Sequence, residues 1–156
     1  VHWGQCADII KDSSVSYITC INSVGNALWI DPLSCSSCIY PKNGLGGLGG
    51  QYVKPVGLAN VYSFAKELPN MDIVGCGGIH CGQDVWEYIL AGSTAVQIGT
   101  TLMKEGPNCF NRITQELHQW FNSSTFKNWQ DAKGKVTPCS LEELETKENT
   151  NLIESH

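Results

Sequence analysis

Residues 72–100 read DIVGCGGIHCGQDVWEYILAGSTAVQIGT and indicate how the chain folds. A short apolar run at residues 72–76 ends in two glycines, and a second run at 94–98 ends in Gly99-Thr100. Short apolar runs bounded by glycine are typical of buried strands. Between them, residues 82–90 carry apolar side chains four positions apart, which is the spacing of one helix face. The segment therefore predicts a strand, a helix and a second strand.

The same alternation continues on both sides of this segment. Residues 17–21 (YITCI) are rich in β-branched and aromatic side chains and predict another buried strand. Residues 6–12 are weakly helical in pattern. Helices are also predicted at 58–68, from Pro107 to about residue 121, and in a short piece at 125–132. Strands that alternate with helices in this order indicate an α/β fold with parallel strands.

Two segments before residue 58 predict a different local structure. Leu28-Trp-Ile30 and Cys38-Ile-Tyr40 predict the two strands of a β-hairpin with a long loop. Residues 44–50 (GLGGLGG) lack the Lys-Ser/Thr of a P-loop and the strand–turn–helix context of a dinucleotide-binding fingerprint. We expect this glycine run either to bring backbone close to a planar ring or to form a flexible loop.

The composition predicts one domain with an acidic end. The chain has 156 residues, of which 42% are hydrophobic, and it is too short for a complete eight-unit βα barrel of about 250 residues. It carries 10 Lys+Arg against 15 Asp+Glu. Many of the acids lie near the C-terminus, so we expect one domain at 1–136 and an acidic, disordered tail at 137–156. The acidic balance disfavours nucleic-acid binding, and no apolar run approaches the 18 residues of a membrane span.

The eight cysteines allow two interpretations. An even number fits a disulfide framework, but that pattern is typical of short secreted chains with a signal peptide. We therefore favour reduced thiols and a cytoplasmic location. Cys35-Ser-Ser-Cys38 has the spacing of redox and zinc motifs, but a zinc site needs a second pair of ligands. We interpret this pair as the tip of the hairpin and predict no metal site.

Three predicted strand ends carry residues of types that bind ligands: Asn22-Ser23, Gly77-Gly78 and Gly99-Thr100. Ligands of parallel α/β folds bind at the carboxyl ends of the strands. Glycine lets backbone N–H groups approach an anion closely, so the two glycine pairs are candidates for a phosphate site, or they simply make tight turns. Asn22 and Ser23 offer hydrogen bonds to a flat polar substrate, or they cap a helix or turn.

Some individual side chains have a simpler interpretation. His80 follows the Gly-Gly turn and is near the mouth of any site there, but a surface position is favoured. Cys81 stands next to His80, but the sequence indicates no local base or Asp partner that would make it a nucleophile. Phe110, Trp120 and Phe121 fall on helical spacing, which predicts that all three lie in the core.

Four motifs follow one another along the chain: Cys20-Ile-Asn-Ser-Val-Gly-Asn26; Gly46-Gly-Leu-Gly-Gly50 with Lys54-Pro55 and Leu58-Ala-Asn60; Gly75-Cys-Gly-Gly-Ile79; and Gln97-Ile-Gly-Thr100 through Lys104-Glu-Gly-Pro107. Together they resemble the class 1A dihydroorotate dehydrogenases, and the similarity covers about residues 1–136. Dihydropyrimidine dehydrogenase and other flavin barrels share the two glycine turns. They are less similar in the Asn-Ser segment, the hairpin and the glycine run taken together.

The resemblance implies an FMN-binding homodimer that oxidises dihydroorotate to orotate and passes the electrons to fumarate. It implies that this chain forms about the last three to four βα units of a TIM (β/α)8 barrel, a partial barrel with an inserted β-hairpin. By position, the implied flavin contacts are Ile21, Gly50, Gly77, Gly78, Gly99 and Thr100, the last four cradling the phosphate. The implied substrate contacts are Asn22 and Ser23.

One departure from the family concerns catalysis. The family's catalytic base is a cysteine on a loop in the first half of the barrel, and none of the eight cysteines here falls at that position. We therefore assign no catalytic residue and expect a fragment, a truncated gene product or a degenerate copy, inactive alone. The alternatives are a non-catalytic half-barrel that binds a partner or another half-barrel, and a fragment of another flavin barrel such as dihydropyrimidine dehydrogenase.

Overall fold

The computed structural model describes residues 2–40 and 42–140, and only the backbone of residue 42. The elements in chain order are α1 (Trp3–Lys11), β1 (Tyr17–Cys20), β2 (Val24–Leu28), β3 (Ile30–Asp31), β4 (Ser36–Ser37), β5 (Leu45–Leu48), α2 (Lys54–Glu67), β6 (Asp72–Cys76), α3 (Gly82–Ala91), β7 (Ala95–Gln97), α4 (Thr100–Glu105), α5 (Asn108–Asn122) and α6 (Trp129–Ala132). Short 3-10 turns occupy Lys42–Gly44 and Gly50–Val53. Most of the predicted acidic tail, residues 141–156, lies outside the described residues.

The central sheet has the strand order β1–β6–β7, and both neighbouring pairs are parallel. β1 pairs with β6 from Tyr17↔Asp72 to Cys20↔Gly75, and the Ile21 N–H continues the ladder to the Cys76 carbonyl oxygen at 2.8 Å. The predicted α/β fold with parallel strands is confirmed for this sheet. Because the three strands run in one direction, the residues that follow them meet at one edge.

Helix α2 approaches the sheet closely because Gly57 has no side chain. A Cβ there would collide with the Tyr88 hydroxyl and lie 3.3 Å from the Cys76 carbonyl oxygen. Val61 and Phe64 follow on the same helix face and are buried. The helix begins one turn before the predicted residue 58, since its first turn contains Pro55 and Gly57 and does not show in the apolar periodicity.

Helix α3 follows its prediction, since it spans Gly82–Ala91 where 82–90 was expected. Cys81 is the N-cap, and the Asp84 carboxylate accepts from the Cys81 N–H at 3.0 Å in a capping-box arrangement. Gly92 ends the helix in the left-handed region with φ 118°, as is common at helix C-termini. Tyr88 on this helix is fully buried and lies in the centre of the core.

The hairpin is present, but it is longer than predicted. β2 pairs antiparallel with β5 from Val24↔Leu48 to Leu28↔Leu45, and β3 pairs with β4 beyond it. The glycine run was expected to approach a ring or to form a flexible loop, but four of its residues form β5. A Cβ at Gly46 would lie 2.9 Å from Ile39 Cδ1, so the end of the Ile39 side chain would have to shift to accommodate it. Cys35 lies in the turn at the tip, as interpreted from the sequence, whereas Cys38 follows β4 and its N–H donates to the Trp29 carbonyl oxygen at 2.9 Å.

The prediction that Phe110 and Trp120 lie in the core is wrong, since they are 45% and 44% exposed. The aromatic contacts of Trp86 come instead from Phe121 and from the loop and helix that follow α5. Phe126 and Trp129 lie 6.0 and 6.2 Å from Trp86 between ring centroids. Helical periodicity shows which residues share a face, but it does not show which later segment fills the space beside it.

Helix α4 was not predicted as a separate element. It spans Thr100–Glu105 and is separated from α5 by Gly106 (φ 74°) and Pro107. The predicted short helix at 125–132 is limited to Trp129–Ala132, because the Asn128 side chain caps its start by accepting from the Asp131 N–H at 2.9 Å. None of the helices in the described ranges is long and apolar enough to cross a membrane.

Candidate functional site

A cleft of about 340 Å³ opens at the carboxyl ends of β1, β6 and β7. It brings together all eight residues that the sequence singled out for ligand binding, although they come from four separate parts of the chain. These residues are Ile21, Asn22, Ser23, Gly50, Gly77, Gly78, Gly99 and Thr100. The roles proposed for them from the sequence remain predictions, but their common location is a property of the fold.

Gly77 and Gly78 form the turn after β6, and both require glycine. Their φ angles are 127° and 73°, in the region where side chains are strained. A Cβ at Gly78 would lie 2.5 Å from the Lys54 Cβ and 3.0 Å from the Lys54 backbone nitrogen. A Cβ at Gly77 would lie 3.3 Å from Val53 Cγ2. The turn is therefore packed against the start of α2, and its other side lines the cleft.

Asp84 anchors the loop that follows this turn. Its carboxylate accepts from the backbone N–H groups of His80 at 2.7 Å and Cys81 at 3.0 Å, and from Lys54 Nζ at 2.6 Å. Burial alone would raise the pKa of the Asp84 carboxyl, but Lys54 and the two N–H donors hold that pKa below its ordinary value. Lys54 also pairs with Glu87 at 2.9 Å, so its charge is directed away from the cleft.

Helices α4 and α5 anchor the same loop from the other side. The Thr101 hydroxyl donates to the Ile79 carbonyl oxygen at 2.6 Å, and the Gly82 N–H donates to Glu116 Oε2 at 2.8 Å. Arg112 donates to the His80 carbonyl oxygen at 3.0 Å and pairs with Glu116 at 2.9 Å. Every residue of the loop from 79 to 82 thus has a backbone group bonded to a side chain.

The turn after β7 is open towards the cleft. A Cβ at Gly99 would have no neighbouring atom within 4 Å. Thr100 lies next to Gly50, because a Cβ at Gly50 would be 3.7 Å from Thr100 Cγ2. Gly50 itself has φ 73° and ends the segment that returns from the hairpin. The two glycine turns and the end of the hairpin segment therefore surround one space.

Asn22 and Ser23 lie on the β1 side of the cleft and are exposed. The Asn22 amide oxygen accepts from the Ser23 N–H at 2.6 Å and from the Ser23 hydroxyl at 3.2 Å. Gly47 of β5 backs this pair so closely that a Cβ there would collide with the Ser23 hydroxyl. Sequence reasoning found these two residues but not the role of the glycine run in holding Ser23.

Sequence reasoning assigned no role to several other residues that line the cleft: Gln51, Tyr52, Val53, Cys76, Ile79, Gln97, Thr101 and Lys104. Lys104 stood in a quoted motif, but the sequence gave no sign that it faces the same space as the glycine turns. His80 lines the cleft and is also exposed, as expected, and its Nδ1 lies 3.7 Å from Glu105. Burial raises the pKa of the Cys76 thiol, which disfavours its thiolate.

The described lining contains no Asp or Glu, and it contains one lysine. Backbone N–H groups at glycine turns, in a cleft without carboxylates, favour an anion. The absence of a side chain at Gly99 leaves room for an anion to approach the backbone closely, and the Gly77-Gly78 turn lines the same space, which is the fit that a phosphate requires. The residues present therefore fit a phosphorylated ligand such as FMN.

The fold and the cleft define an α/β protein with a carboxylate-free cleft, in its described lining, at the carboxyl ends of parallel strands. The family model for dihydroorotate dehydrogenase matches residues 2–121. The chain therefore belongs to the dihydroorotate dehydrogenase family.

Individual relatives agree with this assignment. Dihydroorotate dehydrogenase A (fumarate) of Lactococcus lactis subsp. cremoris (strain MG1363) is 45% identical over 137 residues, which is 87% of this chain and 44% of that protein. The probable dihydroorotate dehydrogenase A (fumarate) of Enterococcus faecalis is 44% identical over 136 residues, 86% of this chain and 44% of that protein. The chain thus spans less than half the length of these curated relatives.

Solved structures also resemble the fold. The crystal structure of DHODH from Eimeria tenella in complex with ferulenol has a TM-score of 0.69 and 28% identity, and the match covers 85% of this chain and 34% of that one. The ligand-free form from the same organism has a TM-score of 0.69 and 26% identity, over 87% of this chain and 37% of that one.

Proposed function

We propose that this chain is the flavin-binding C-terminal part of a class 1A dihydroorotate dehydrogenase, which oxidises dihydroorotate to orotate with FMN and passes the electrons to fumarate. The observation that carries the proposal is the gathering of eight separately predicted residues around one cleft that has no carboxylate in its described lining. Both relatives are named as dihydroorotate dehydrogenases of the fumarate type, which supports the choice of reaction and electron acceptor.

The FMN phosphate is assigned to the space between the two glycine turns. Gly78 and Gly99 both line this space, a Cβ at Gly99 would meet no atom within 4 Å, and the Thr100 hydroxyl adds a donor at the second turn. The anchored loop from 79 to 82 holds the first turn in place. Hydrogen bonds from backbone N–H groups to an anion are charge-assisted and stronger than neutral ones.

The flavin ring and the substrate are assigned to the β1 side of the cleft. Ile21 and Gly50 contact the ring, while Asn22 and Ser23 hydrogen-bond dihydroorotate. When bound, FMN supplies the acceptor for the hydride that leaves the substrate. Asn22 and Ser23 keep the substrate ring in one orientation, since their mutual hydrogen bonds and the close backing of Gly47 limit their own movement.

The general base is assigned to a part of the enzyme outside this chain, so no residue here is proposed as catalytic. Cys76 is the cysteine that lines the described cleft, and burial keeps its thiol protonated by raising its pKa. A thiol that resists ionisation is a poor proton acceptor. This supports the assignment of the base elsewhere.

The chain is proposed to form the last three to four βα units of a TIM barrel, with β2 to β5 as the inserted hairpin. Within the described sheet, β1 and β7 each pair only with β6, so each has one side available for a further strand. A homodimer and a cytoplasmic location complete the proposal. No specific observation favours the non-catalytic half-barrel or another flavin barrel.

The experiment completes the barrel by fusing this chain to the N-terminal part of the Lactococcus lactis relative. The purified fusion is expected to contain FMN and to form orotate from dihydroorotate when fumarate is present. Flavin content, orotate absorbance and a comparison of fumarate with NAD as acceptor provide the measurement. A folded fusion without bound flavin would contradict the proposal.

A further inference from the structure

Lys104 differs from the other charged groups around the cleft. It lies in the last turn of α4, is exposed and lines the cleft together with Gly99 and Thr100. Thr100 and Lys104 are four positions apart, so they lie on the same face of the helix. Within the described part of the chain, Lys104 is the one lysine that lines this cleft, and it has no hydrogen bond or ion pair there.

The neighbouring carboxylate does not neutralise this lysine. The Glu105 carboxylate accepts hydrogen bonds from Arg112 Nη2 at 2.8 and 3.0 Å and from Arg112 Nε at 3.2 Å. His80 Nδ1 lies 3.7 Å from the same carboxylate. Glu105 is thus held on the α5 side, and the positive charge of Lys104 remains available to the cleft.

The second lysine near the glycine turns is already paired. Lys54 lies beneath Gly78, but its Nζ contacts Asp84 at 2.6 Å and Glu87 at 2.9 Å. A phosphate between the two turns would therefore meet the partial charges of backbone N–H groups and only one full, unpaired positive charge among the described lining residues. An unpaired ammonium beside a dianion forms a charge-assisted hydrogen bond.

We propose that Lys104 gives this cleft its preference for a phosphorylated flavin over an unphosphorylated one, by placing its ammonium group against the phosphate at the Gly99-Thr100 turn. The inference rests on the proposed flavin function and adds to it a specificity-determining residue. Lys104 acts on the phosphate and not on the ring, so its loss affects the affinity for FMN and not the affinity for riboflavin, which has the same ring without the phosphate.

The test titrates the flavin-free form of the fusion described above with FMN and with riboflavin and follows flavin fluorescence at low salt. The wild-type fusion is expected to bind FMN about tenfold more tightly than riboflavin, a difference of about 1.4 kcal/mol. Lys104→Met is expected to lose most of this difference by weakening FMN binding alone, and Lys104→Arg is expected to restore it. Raising the ionic strength should shrink the difference in the wild type, since the site is exposed.

Lys127→Met is the matched control, because Lys127 is also an exposed lysine but does not line the cleft. Circular dichroism of each variant shows that it is folded. If Lys104→Met binds FMN as tightly as the wild type does, the inference is overturned and the flavin function stands. If the folded wild-type fusion shows no saturable binding of either flavin, the proposed function fails together with the inference.

Discussion

The Tyr88 hydroxyl donates a 2.8 Å hydrogen bond to the carbonyl oxygen of Gly77, and so joins the centre of the core to the first glycine of the cleft. Tyr88 is fully buried, and burial raises the pKa of its phenol, so the hydroxyl remains a donor throughout the neutral range. The same ring lies where a Cβ at Gly57 or Gly75 would be. One side chain therefore fixes the distances between α2, β6 and the turn.

The first prediction concerns this hydrogen bond. Tyr88→Phe should destabilise the chain by about 1–3 kcal/mol, since it removes a buried donor and leaves the Gly77 carbonyl without it. Urea unfolding measures the free energy. Tyr40→Phe is the control, because Tyr40 is 98% exposed and should change stability by less than about 0.5 kcal/mol. Equal effects of the two substitutions would contradict the structural role of Tyr88.

The second prediction concerns the turn at Gly78. Gly78→Ala in the completed barrel should reduce FMN retention strongly, because the residue has φ 73° and a Cβ would press on the Lys54 backbone. The left-handed conformation alone costs a non-glycine residue about 1–2 kcal/mol. Flavin absorbance per protein chain is the measurement. Gly25→Ala, at a position where a Cβ meets no atom within 4 Å, should retain the flavin.

The third prediction concerns Asp84 and pH. Its pKa in the folded state lies below the ordinary value of about 3.9, so the carboxylate stabilises the fold above about pH 4. This contribution is lost as the pH falls through the lower, folded-state pKa. Asp84→Asn should destabilise the chain by about 3 kcal/mol at pH 7. This is the lower end of the range for breaking a buried ion pair, because Lys54 keeps its ion pair with Glu87.

Unfolding curves of the wild type and Asp84→Asn at pH 7, 5 and 3 test this dependence. The difference between their free energies of unfolding should be constant from pH 7 to 5 and smaller at pH 3. Asp8→Asn serves as the control, since the Asp8–Lys11 pair is exposed and should contribute less than about 1 kcal/mol. A difference in free energy of unfolding that grows as the pH falls would contradict the predicted direction of the Asp84 contribution.

The fourth prediction concerns the substrate side of the cleft. Asn22→Ala in the completed barrel should lower kcat/KM for dihydroorotate while flavin content stays normal, because a lost hydrogen bond to a buried polar group costs about 1–3 kcal/mol. Steady-state kinetics and flavin absorbance separate the two effects. Asn111→Ala, on the exposed side of α5, should leave both unchanged. An unchanged kcat/KM in Asn22→Ala would return Asn22 to a purely structural role.

The fifth prediction concerns the 156-residue chain alone. It should bind FMN more weakly than the completed barrel by more than about tenfold, and it should not oxidise dihydroorotate, since loss of a positioned base alone costs about 10²–10⁴ in rate. The chain should also self-associate. The free sides of β1 and β7 offer unpaired backbone groups, and Trp29 and Leu33 in the hairpin are 63% and 94% exposed. Sedimentation and turnover assays provide the measurements, and a monodisperse, active monomer would contradict the prediction.

The sequence predicted the parallel strands and the positions that meet in the cleft, because strand ends and glycine pairs are local signals. The assignment of the glycine run to β5 required knowledge of its partner β2, which lies about twenty residues away. Trp120 is 44% exposed, and the aromatic neighbour that Trp86 finds in Trp129 comes from another helix, which periodicity within one helix does not show. The position of Lys104 beside the glycine turns was also hidden, since a lysine on a short helix has the same local pattern whether it faces solvent or a ligand.

The anchoring of the loop from 79 to 82 has a consequence for how the cleft responds to its ligand. Side chains from three different helices hold this loop, so its backbone is preorganised before any ligand arrives, and binding need not order it. The same arrangement makes the loop sensitive to distant changes. A substitution at Arg112, which lies behind the loop and does not line the cleft, would be transmitted through the His80 carbonyl to the backbone that meets the ligand.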